Sequence, residues 1–300
     1  MKSFSIKDIE SLTGIKSHTL RVWETRYNFI TPKRTETNIR YYTEEDLRKL
    51  MNVALLNQHG FKLCNLADLD DCDINKHVEE ICDDCHKHDG QLQTLYMAMI
   101  NFDEQAIDKV ITTNIVRLGM KETMLQLVFP LMNKIGMMWQ AACICPAHEY
   151  FVTNIIKQKL NVASDAQYHV ENPNSKRFLL FLPEGENHEL SLLFANYLLK
   201  IHGHKVLYLG QSQPIKDLES VAKTFRPDFL LSVVTSPLVA GSLEKFIEKI
   251  CASFKNQQIL LTGFQVINQG IEGVGNLRVL ESPDDLLDLL ADYKPAKELV

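Results

Sequence analysis

The sequence predicts a multidomain protein of the α and α/β classes, with an N-terminal winged helix-turn-helix, a four-helix bundle and a C-terminal Rossmann-like parallel sheet. Three observations predict it. A basic N-terminal segment combines short helices with a hairpin, the middle segment has helical periodicity throughout, and the C-terminal segment alternates strands with helices. We expect domains at 1–75, 76–170 and 171–300, which a chain of 300 residues is long enough to form.

Charge is unevenly distributed along the chain. Residues 1–62 hold eleven Lys/Arg against seven Asp/Glu, a net charge of +4, so the remainder carries −10 of the total of −6. A basic head on an acidic body indicates that only the head approaches a polyanion. No apolar run approaches roughly 18 residues, and the N-terminus has no apolar signal core, so we expect a cytoplasmic protein without a membrane anchor.

The N-terminal segment has the spacing of a helix-turn-helix. Residues 5–27 predict two short helices, with Ser5 and Ser17 as their caps, and the second helix of such a motif lies in the major groove of DNA. A β-hairpin wing follows, in which Asn38 would take the left-handed turn conformation. A third helix is predicted from Leu47 to Gln58, capped by Thr43-Glu-Glu-Asp46.

The residues of this segment resemble the DNA-binding domain of MerR-type transcription regulators over about residues 4–70. The motifs that carry the resemblance are Arg21-x-Trp23-Glu24-x-Arg26-Tyr27, Pro32-x-Arg34 and Arg40-Tyr41-Tyr42. The resemblance implies double-stranded operator DNA as a partner and at least a dimer on symmetric sites. Base edges or nearby phosphates would be contacted by Lys16, His18, Thr19 and Arg21, and the wing would contact phosphates through Lys33, Arg34, Arg40 and Tyr41.

The middle of the chain begins with an acidic segment at 64–90, which we interpret as a linker running into a helix. From Gln91 to about Val162, apolar residues recur at helical spacing in four stripes. A four-helix bundle is the economical arrangement of these stripes. Its helices would be broken at Gly119, Gly136 and 141–146.

Strands and helices alternate from residue 171 onward, which specifies a doubly wound, parallel, Rossmann-like sheet. The sequence contains no Gly-x-x-x-x-Gly-Lys loop, and no Gly-x-Gly-x-x-Gly follows the first strand, so a nucleotide cofactor is poorly supported. The expected strands span 177–182, 205–209, 228–234, 259–262 and 277–280, and the expected helices lie near 188–202, 214–225, 241–254 and 283–292.

The loop after the first of these strands, 183–191, is a candidate ligand site. It lies at the carboxyl end of a parallel strand, where ligands of this architecture bind. His188 is its one side chain able to coordinate a transition metal through a neutral nitrogen at pH 7. Three motifs follow strands here: Glu186-x-His188-x-x-Ser191, Ser232-x-x-Thr235 and Thr262-Gly263. They resemble cobalamin-binding domains, whose mark is Asp/Glu-x-His-x-x-Gly with a Ser/Thr site and a Gly-Gly turn.

With its head and bundle, the whole chain resembles the cobalamin-dependent MerR-type regulators, a group that includes light-responsive repressors of carotenoid genes. The resemblance implies a cobalamin as cofactor, as adenosylcobalamin or methylcobalamin. His188 would be the lower cobalt ligand in place of the cofactor's own nucleotide base, and Glu186 would orient its other ring nitrogen. The slot for the displaced nucleotide tail would be lined by Ser232, Thr235 and Gly263.

The resemblance also implies a roof over the corrin, formed in that group by Trp-x9-Glu-His of the bundle. Trp139 and Glu149 match this motif, whereas Tyr150 stands in place of its histidine. Gln140 stands where light-responsive members can present a histidine to cobalt, and Ser191 replaces the last glycine of the loop motif. These departures weigh against light-driven switching more than against cobalamin binding.

The residues and the resemblance together predict a DNA-binding transcriptional regulator, not an enzyme. Its C-terminal half would bind a cobalamin and couple it to oligomeric state and DNA affinity. Two alternatives stay open. One is a regulator with a degenerate, cofactor-free sensor that acts through protein contacts, and the other is a corrinoid enzyme or methyl-carrier module, for which no catalytic domain accompanies the bundle and the sheet.

Overall fold

The structure of the protein is a computed structural model. It describes residues 4–13, 15–27, 30–35, 38–58, 60–67, 69–84, 90–140, 144–167, 173–239 and 241–293. By its internal contacts the chain forms two compact units, Met1–Ile155 and Ile156–Val300. Among the described residues, no helix is both long and apolar enough to span a membrane.

The head contains the helices and the hairpin that the sequence predicts: α1 Ile6–Thr13, α2 Ser17–Arg26, β1 Lys33–Arg34, β2 Arg40–Tyr41 and α3 Glu44–Gln58. The expected cap of α1 is confirmed, because the Ser5 hydroxyl accepts from the backbone N–H of Asp8 at 3.3 Å. The expected cap of α2 is wrong. Ser17 is the first residue of that helix, and its hydroxyl donates to Glu10 instead.

The wing is an antiparallel pair of short strands in which Lys33 lies opposite Tyr41. Asn38 has a φ of 63°, so its predicted left-handed conformation is confirmed. The third helix begins three residues earlier than predicted, at Glu44. The Thr43 hydroxyl accepts from the backbone N–H of Asp46 at 3.2 Å, and this cap sets the start of the helix.

The acidic segment after the third helix contains the predicted helix, α5 Asp71–Asp84. The part expected to be a linker forms a further short helix, α4 Leu63–Ala67. Leu66, Ile74 and Val78 are buried in the core of the head, with Leu20 and Leu50. The acidic residues hid this pattern in the sequence, since a helix can expose its charged side chains while burying only one apolar stripe.

The helical segment that follows comprises α6 Gly90–Ile100, α7 Glu104–Thr123, a π-helical turn at Met124–Val128, α8 Phe129–Gln140 and α9 Pro146–Asp165. The predicted break at Gly119 is confirmed by its non-helical φ of 81°. Gly136 lies within α8, so the break predicted there is wrong. A helix tolerates a single glycine at a cost of about 1 kcal/mol. The third predicted break, 141–146, is described only from residue 144 onward, and α9 begins at Pro146.

The second unit contains the predicted parallel sheet. Its strands are β3 Arg177–Pro183, β4 Lys205–Gln213, β5 Phe229–Val233, β6 Gln258–Thr262 and β7 Leu277–Val279, in the order β4-β3-β5-β6-β7 with every neighbouring pair parallel. Its helices are α10 Leu190–Ile201, α11 Ile215–Phe225, α12 Leu243–Ser253, α13 Phe264–Asn268 and α14 Pro283–Ala291. The short α13 was not predicted.

Strand order places the candidate loop at the switch point of the sheet. The chain passes from β3 to β4 on one side, and β5 pairs with β3 on the other. The carboxyl ends of β3 and β5 are therefore neighbours at the position where open parallel sheets bind ligands. Buried apolar residues such as Leu179, Leu230 and Ile259 fill the core on one face of the strands.

Candidate functional site

The loop after β3 is held by its own backbone and by the end of β4. Gly185 has a φ of 84°, and a Cβ there would lie 2.5 Å from Cγ2 of Val239, so the loop requires glycine. The N–H of Gly185 donates to the Ser212 hydroxyl at 3.1 Å. The side chain of Gln211 donates to the carbonyl of Asn187 at 3.2 Å. These contacts fix the backbone on both sides of Glu186.

Glu186 joins two loops through its buried carboxylate, which is 1% exposed. Oε1 accepts from the backbone N–H of His188 at 2.9 Å, and Oε2 accepts from those of Thr235 and Ser236 at 2.7 and 2.6 Å. Burial alone would raise the pKa of this carboxyl. The hydrogen bonds from the His188 ring and the backbone outweigh it and lower the pKa to about 2.

His188 presents its imidazole at the surface, with 52% of the side chain exposed. Its Nδ1 lies 2.7 Å from Oε1 of Glu186. An ionised carboxylate can only accept, so in the neutral ring Nδ1 carries the proton and Nε2 carries the lone pair. The structure thus brings together the carboxylate and the ring that the resemblance pairs, and the orientation of a cobalt ligand by Glu186 stays a prediction.

Several residues that contact this loop were not predicted from the sequence. The Ser236 hydroxyl lies 3.2 Å from Nδ1 of His188. Glu189, which follows the histidine, pairs with Nζ of Lys157 at 3.0 Å and accepts from the Tyr208 hydroxyl at 3.3 Å. Burial, and then the charge of Glu189, raise the pKa of Tyr208 above its ordinary value. Of these residues, only Ser236 could have been found from the sequence, because it directly follows Thr235.

The three residues expected to line a slot lie at the carboxyl ends of β5 and β6. Ser232 is fully buried, and its hydroxyl has no hydrogen-bond partner within the described part of the chain. Thr235 contributes its backbone N–H to Glu186. Gly263 has a φ of 109°, and a Cβ there would lie 2.6 Å from the carbonyl oxygen of Val234, so only glycine permits this approach. Ser191 is exposed in the first turn of α10.

The chemistry of these residues fits a cobalamin. A neutral imidazole is the form that binds a metal, and the contact of Nδ1 with Glu186 would place the lone pair of neutral His188 on Nε2. The unsatisfied hydroxyl of Ser232 is a polar group that a ligand atom could pair with, since buried hydroxyls are normally bonded. The glycine contact at Gly263 keeps the neighbouring loops close together.

The predicted roof residues lie in the other unit. Trp139 ends α8 together with Gln140, and the side chains of both are outside the described residues. Glu149 is partly buried in the first turn of α9, and Tyr150 is 66% exposed. The structure therefore describes these residues only within the unit that contains the head.

The second helix of the head exposes most of its predicted DNA-contacting residues. Lys16 is exposed and lies 3.7 Å from Glu10, while His18 and Arg21 are exposed and Thr19 is half-buried. The buried residues of α2 include Leu20 and Trp23, which face the core as expected. The polar residues are thus on the surface that a major groove would meet.

The wing is tied to α2 by a residue whose role the sequence did not reveal. The Glu24 carboxylate, 8% exposed, accepts from the Tyr42 hydroxyl and lies 3.4 Å from Nε of Arg40. Arg40 therefore has a structural contact as well, and both Arg40 and Tyr41 are half-buried strand residues. Lys33 and Arg34 are exposed, and Arg34 donates to the side chain of Asn38 at 2.7 Å.

Comparison with known families gives two matches, one in the head and one in the helical segment from α6 to α9. Residues 4–71 match the MerR HTH family of regulatory proteins, and residues 91–163 match a B12 binding domain. The chain joins a MerR-type domain to a B12-binding domain. The second match covers α6 to α9 and ends before β3, so it includes Trp139 and Glu149 but not the loop of His188.

Two curated proteins align with this chain over most of its length. The chain is homologous to the HTH-type transcriptional repressor CarH of Myxococcus xanthus, with 26% identity over 244 residues, 78% of this chain and 80% of that protein. It is 25% identical over 258 residues to the repressor CarA of the same organism, covering 83% of each. A monomethylamine corrinoid protein of Methanosarcina barkeri, 13% identical, has the same fold over 66% of this chain and 95% of its own, with a TM-score of 0.50.

Proposed function

We propose that this protein is a DNA-binding transcriptional regulator whose C-terminal half binds a cobalamin and thereby controls the affinity of the head for operator DNA. The observation that carries the proposal is the Glu186–His188 pair at the switch point of a parallel sheet. It lies in a chain whose head matches MerR-type regulators. Such a regulator would act in the cytoplasm.

His188 would hold the cofactor from below through Nε2, and Glu186 would keep its ring in place. A bound cobalamin would supply a cobalt ion that accepts this nitrogen. Ser232, Thr235 and Gly263 would take the nucleotide tail that the histidine displaces. Trp139, Glu149 and Tyr150 would contribute the roof, with adenosylcobalamin or methylcobalamin as the forms to test first.

Control of DNA binding requires a difference in affinity between two states of the protein. A cobalamin that bound each state equally well would shift nothing, however tightly it bound. We propose that the two states are assemblies of different size, because a symmetric operator is bound by at least a dimer. The basic residues of α2 and the wing would then bind DNA in only one of the assemblies.

The cofactor half is tested by incubating the full chain in the dark with methylcobalamin and adenosylcobalamin and removing unbound corrinoid by gel filtration. The wild type should retain a corrinoid absorption spectrum with imidazole-ligated cobalt, and His188→Ala should lose it. His18→Ala is the matched control, since it removes an exposed histidine of the head and should leave the spectrum unchanged. A wild type that emerges without corrinoid would overturn this half of the proposal.

The DNA half is tested by selecting bound sequences from a random pool of duplexes with the same protein, before and after light exposure. Affinity for the selected site should fall steeply with salt, because phosphate contacts release counterions. His188→Ala should bind the site but lose any effect of added cobalamin. A chain that prefers no sequence over random duplex would remove the DNA-binding role.

A further inference from the structure

Val22 is an apolar residue on the exposed surface of α2, beside the charged residue Arg21. It is 50% exposed in the middle of the helix, although a valine is usually buried. It follows Arg21 and precedes the buried Trp23. An apolar side chain at this position cannot bind a phosphate, so phosphate contacts do not account for it.

Helical geometry places Val22 on the face that points away from the core of the head. Successive residues are 100° apart, so His18, Val22 and Thr25 lie on one side of α2 and Leu20 and Trp23 on the other. The burial of each residue agrees with this division. Val22 is therefore near the centre of the surface that would enter a major groove.

Val22 and Thr25, three residues apart, form an apolar pair on this face. The Thr25 hydroxyl donates to the carbonyl of Arg21 at 2.9 Å, so its proton is already used within the helix and the pair offers mainly methyl groups. The exposed residues around the pair, His18, Arg21 and Arg26, offer hydrogen-bonding groups. The pair and its neighbours therefore suit different groups on the base edges.

We propose that Val22 contacts the 5-methyl group of a thymine in the major groove, beside the base that Arg21 contacts. The inference rests on the proposed function, because it requires α2 to lie in that groove. Thymine is the one base that presents a methyl group there, and apolar side chains recognise it. A base with a polar group at this position would lose water against Val22 and gain no partner, which makes the contact selective.

The experiment replaces each thymine of the selected operator in turn by deoxyuridine, which lacks only the methyl group. Binding of the full chain is measured for every duplex. The wild type should lose about fourfold in affinity at one position of each half-site, the effect of burying one methyl group. Val22→Ala should bind the unmodified operator less tightly by a similar factor and show no further loss at that position.

Two variants control for effects on the fold. Val116→Ala makes the same chemical change at a valine of α7 that is 81% exposed, and it should keep the wild-type deoxyuridine profile. Val22→Thr retains one methyl group and should keep part of the thymine dependence. The thermal midpoint of all variants should match that of the wild type, because an exposed substitution has little effect on folding.

The inference is overturned if Val22→Ala shows the same losses as the wild type at every thymine, or if the wild type is insensitive to deoxyuridine throughout. Both results leave sequence-specific DNA binding intact. A full chain that selects no operator removes the DNA-binding role itself, and this inference with it.

Discussion

Each of the two candidate binding regions contains a glutamate whose side chain is almost fully buried. The two glutamates differ in the groups that contact them. Glu24 of the head accepts a hydrogen bond from the Tyr42 hydroxyl and forms an ion pair with Arg40. Glu186 of the second unit is bonded by backbone N–H groups of two loops and by the ring of His188. The first glutamate joins α2 to the wing, and the second joins the loop after β3 to the loop after β5.

This difference affects how well each site should tolerate the loss of its glutamate. Arg40, whose side chain is 36% exposed, can turn toward water when Glu24 is removed, so in the head only the buried Tyr42 hydroxyl would lose its partner. Backbone N–H groups cannot turn toward water, because the fold sets their positions, so a lost acceptor leaves them without a hydrogen bond. The second unit should therefore tolerate the loss of its glutamate less well than the head does.

Glu186→Ala should have the largest effect on folding. We expect a loss of about 3–5 kcal/mol in the free energy of unfolding, as for a buried charged network that loses one member. Glu24→Ala should cost about 1–3 kcal/mol. Urea unfolding followed by circular dichroism measures both, and Glu184→Ala, an exposed neighbour, should stay within about 0.5 kcal/mol of the wild type. Equal losses at the two buried glutamates would contradict the comparison.

Acidification should lower the free energy of unfolding of the second unit in two stages. Burial lowers the pKa of His204 from 6.5 to about 4, with the charges of His202 and Lys176 as smaller causes. The unfolded chain then binds more protons than the folded one between these values, so stability falls as pH drops from 6.5 to 4, by about 3 kcal/mol.

Glu186 acts in a lower window of pH. Its carboxyl is ionised in the folded state down to about pH 2, against an ordinary pKa of 4.5, so its contribution is complete above 4.5 and is lost as pH falls through 2. His204→Gln cannot titrate and should remove the upper stage alone. Unfolding free energies at several pH values measure this, and an upper stage that persists in His204→Gln would assign it to another group.

Glu186→Gln should weaken corrinoid binding by about 10- to 100-fold, the usual effect of removing a partner that orients a metal-bound histidine. The glutamine keeps the size of the side chain but has no charge to hold the proton on Nδ1. Titration of the full chain with methylcobalamin, followed by absorbance, measures the change. Glu24→Gln is the control and should bind corrinoid as the wild type does, whereas a loss in both variants would point to misfolding.

Tyr42→Phe should have the smallest effect of the series. It removes one hydrogen bond to Glu24 and should cost about 1 kcal/mol in the free energy of unfolding. DNA affinity should fall by a few-fold, since the wing is less firmly placed against α2, and corrinoid binding should not change. Mobility-shift titrations with the selected operator test the first effect, and unaltered affinity would show that the wing needs no such contact.

Much of the fold could be predicted because it depends on local patterns. The caps at Ser5 and Thr43, the left-handed Asn38 and the alternation of strands with helices each involve residues close together in the sequence. The segment at 64–90 could not be predicted in the same way. Its helices are stabilised by burial of Leu66, Ile74 and Val78 against residues far along the chain, and its acidic surface conceals that packing.

The candidate site also contains residues that could be predicted from the sequence and residues that could not. The motif around His188 pointed to a candidate metal ligand by residue type, and its resemblance to cobalamin-binding domains pointed to Glu186 as the partner of that ligand. Ser236, Glu189, Tyr208 and Lys157 did not stand out, because they are separated from one another along the chain and approach only in the folded unit. Glu24 was visible as part of a motif, yet nothing in the motif showed that it bonds Tyr42.

Neighbouring residues and short motifs were enough to predict the order of the domains, the helix expected to contact DNA and the histidine expected to bind a metal. The three-dimensional structure was needed to show why the pKa of the Glu186 carboxyl is low although the group is buried. The cause lies partly in backbone N–H groups that come from a second loop, 49 and 50 residues away. A hydrogen bond to a backbone group requires a position in space and no particular residue, so residue types cannot reveal it.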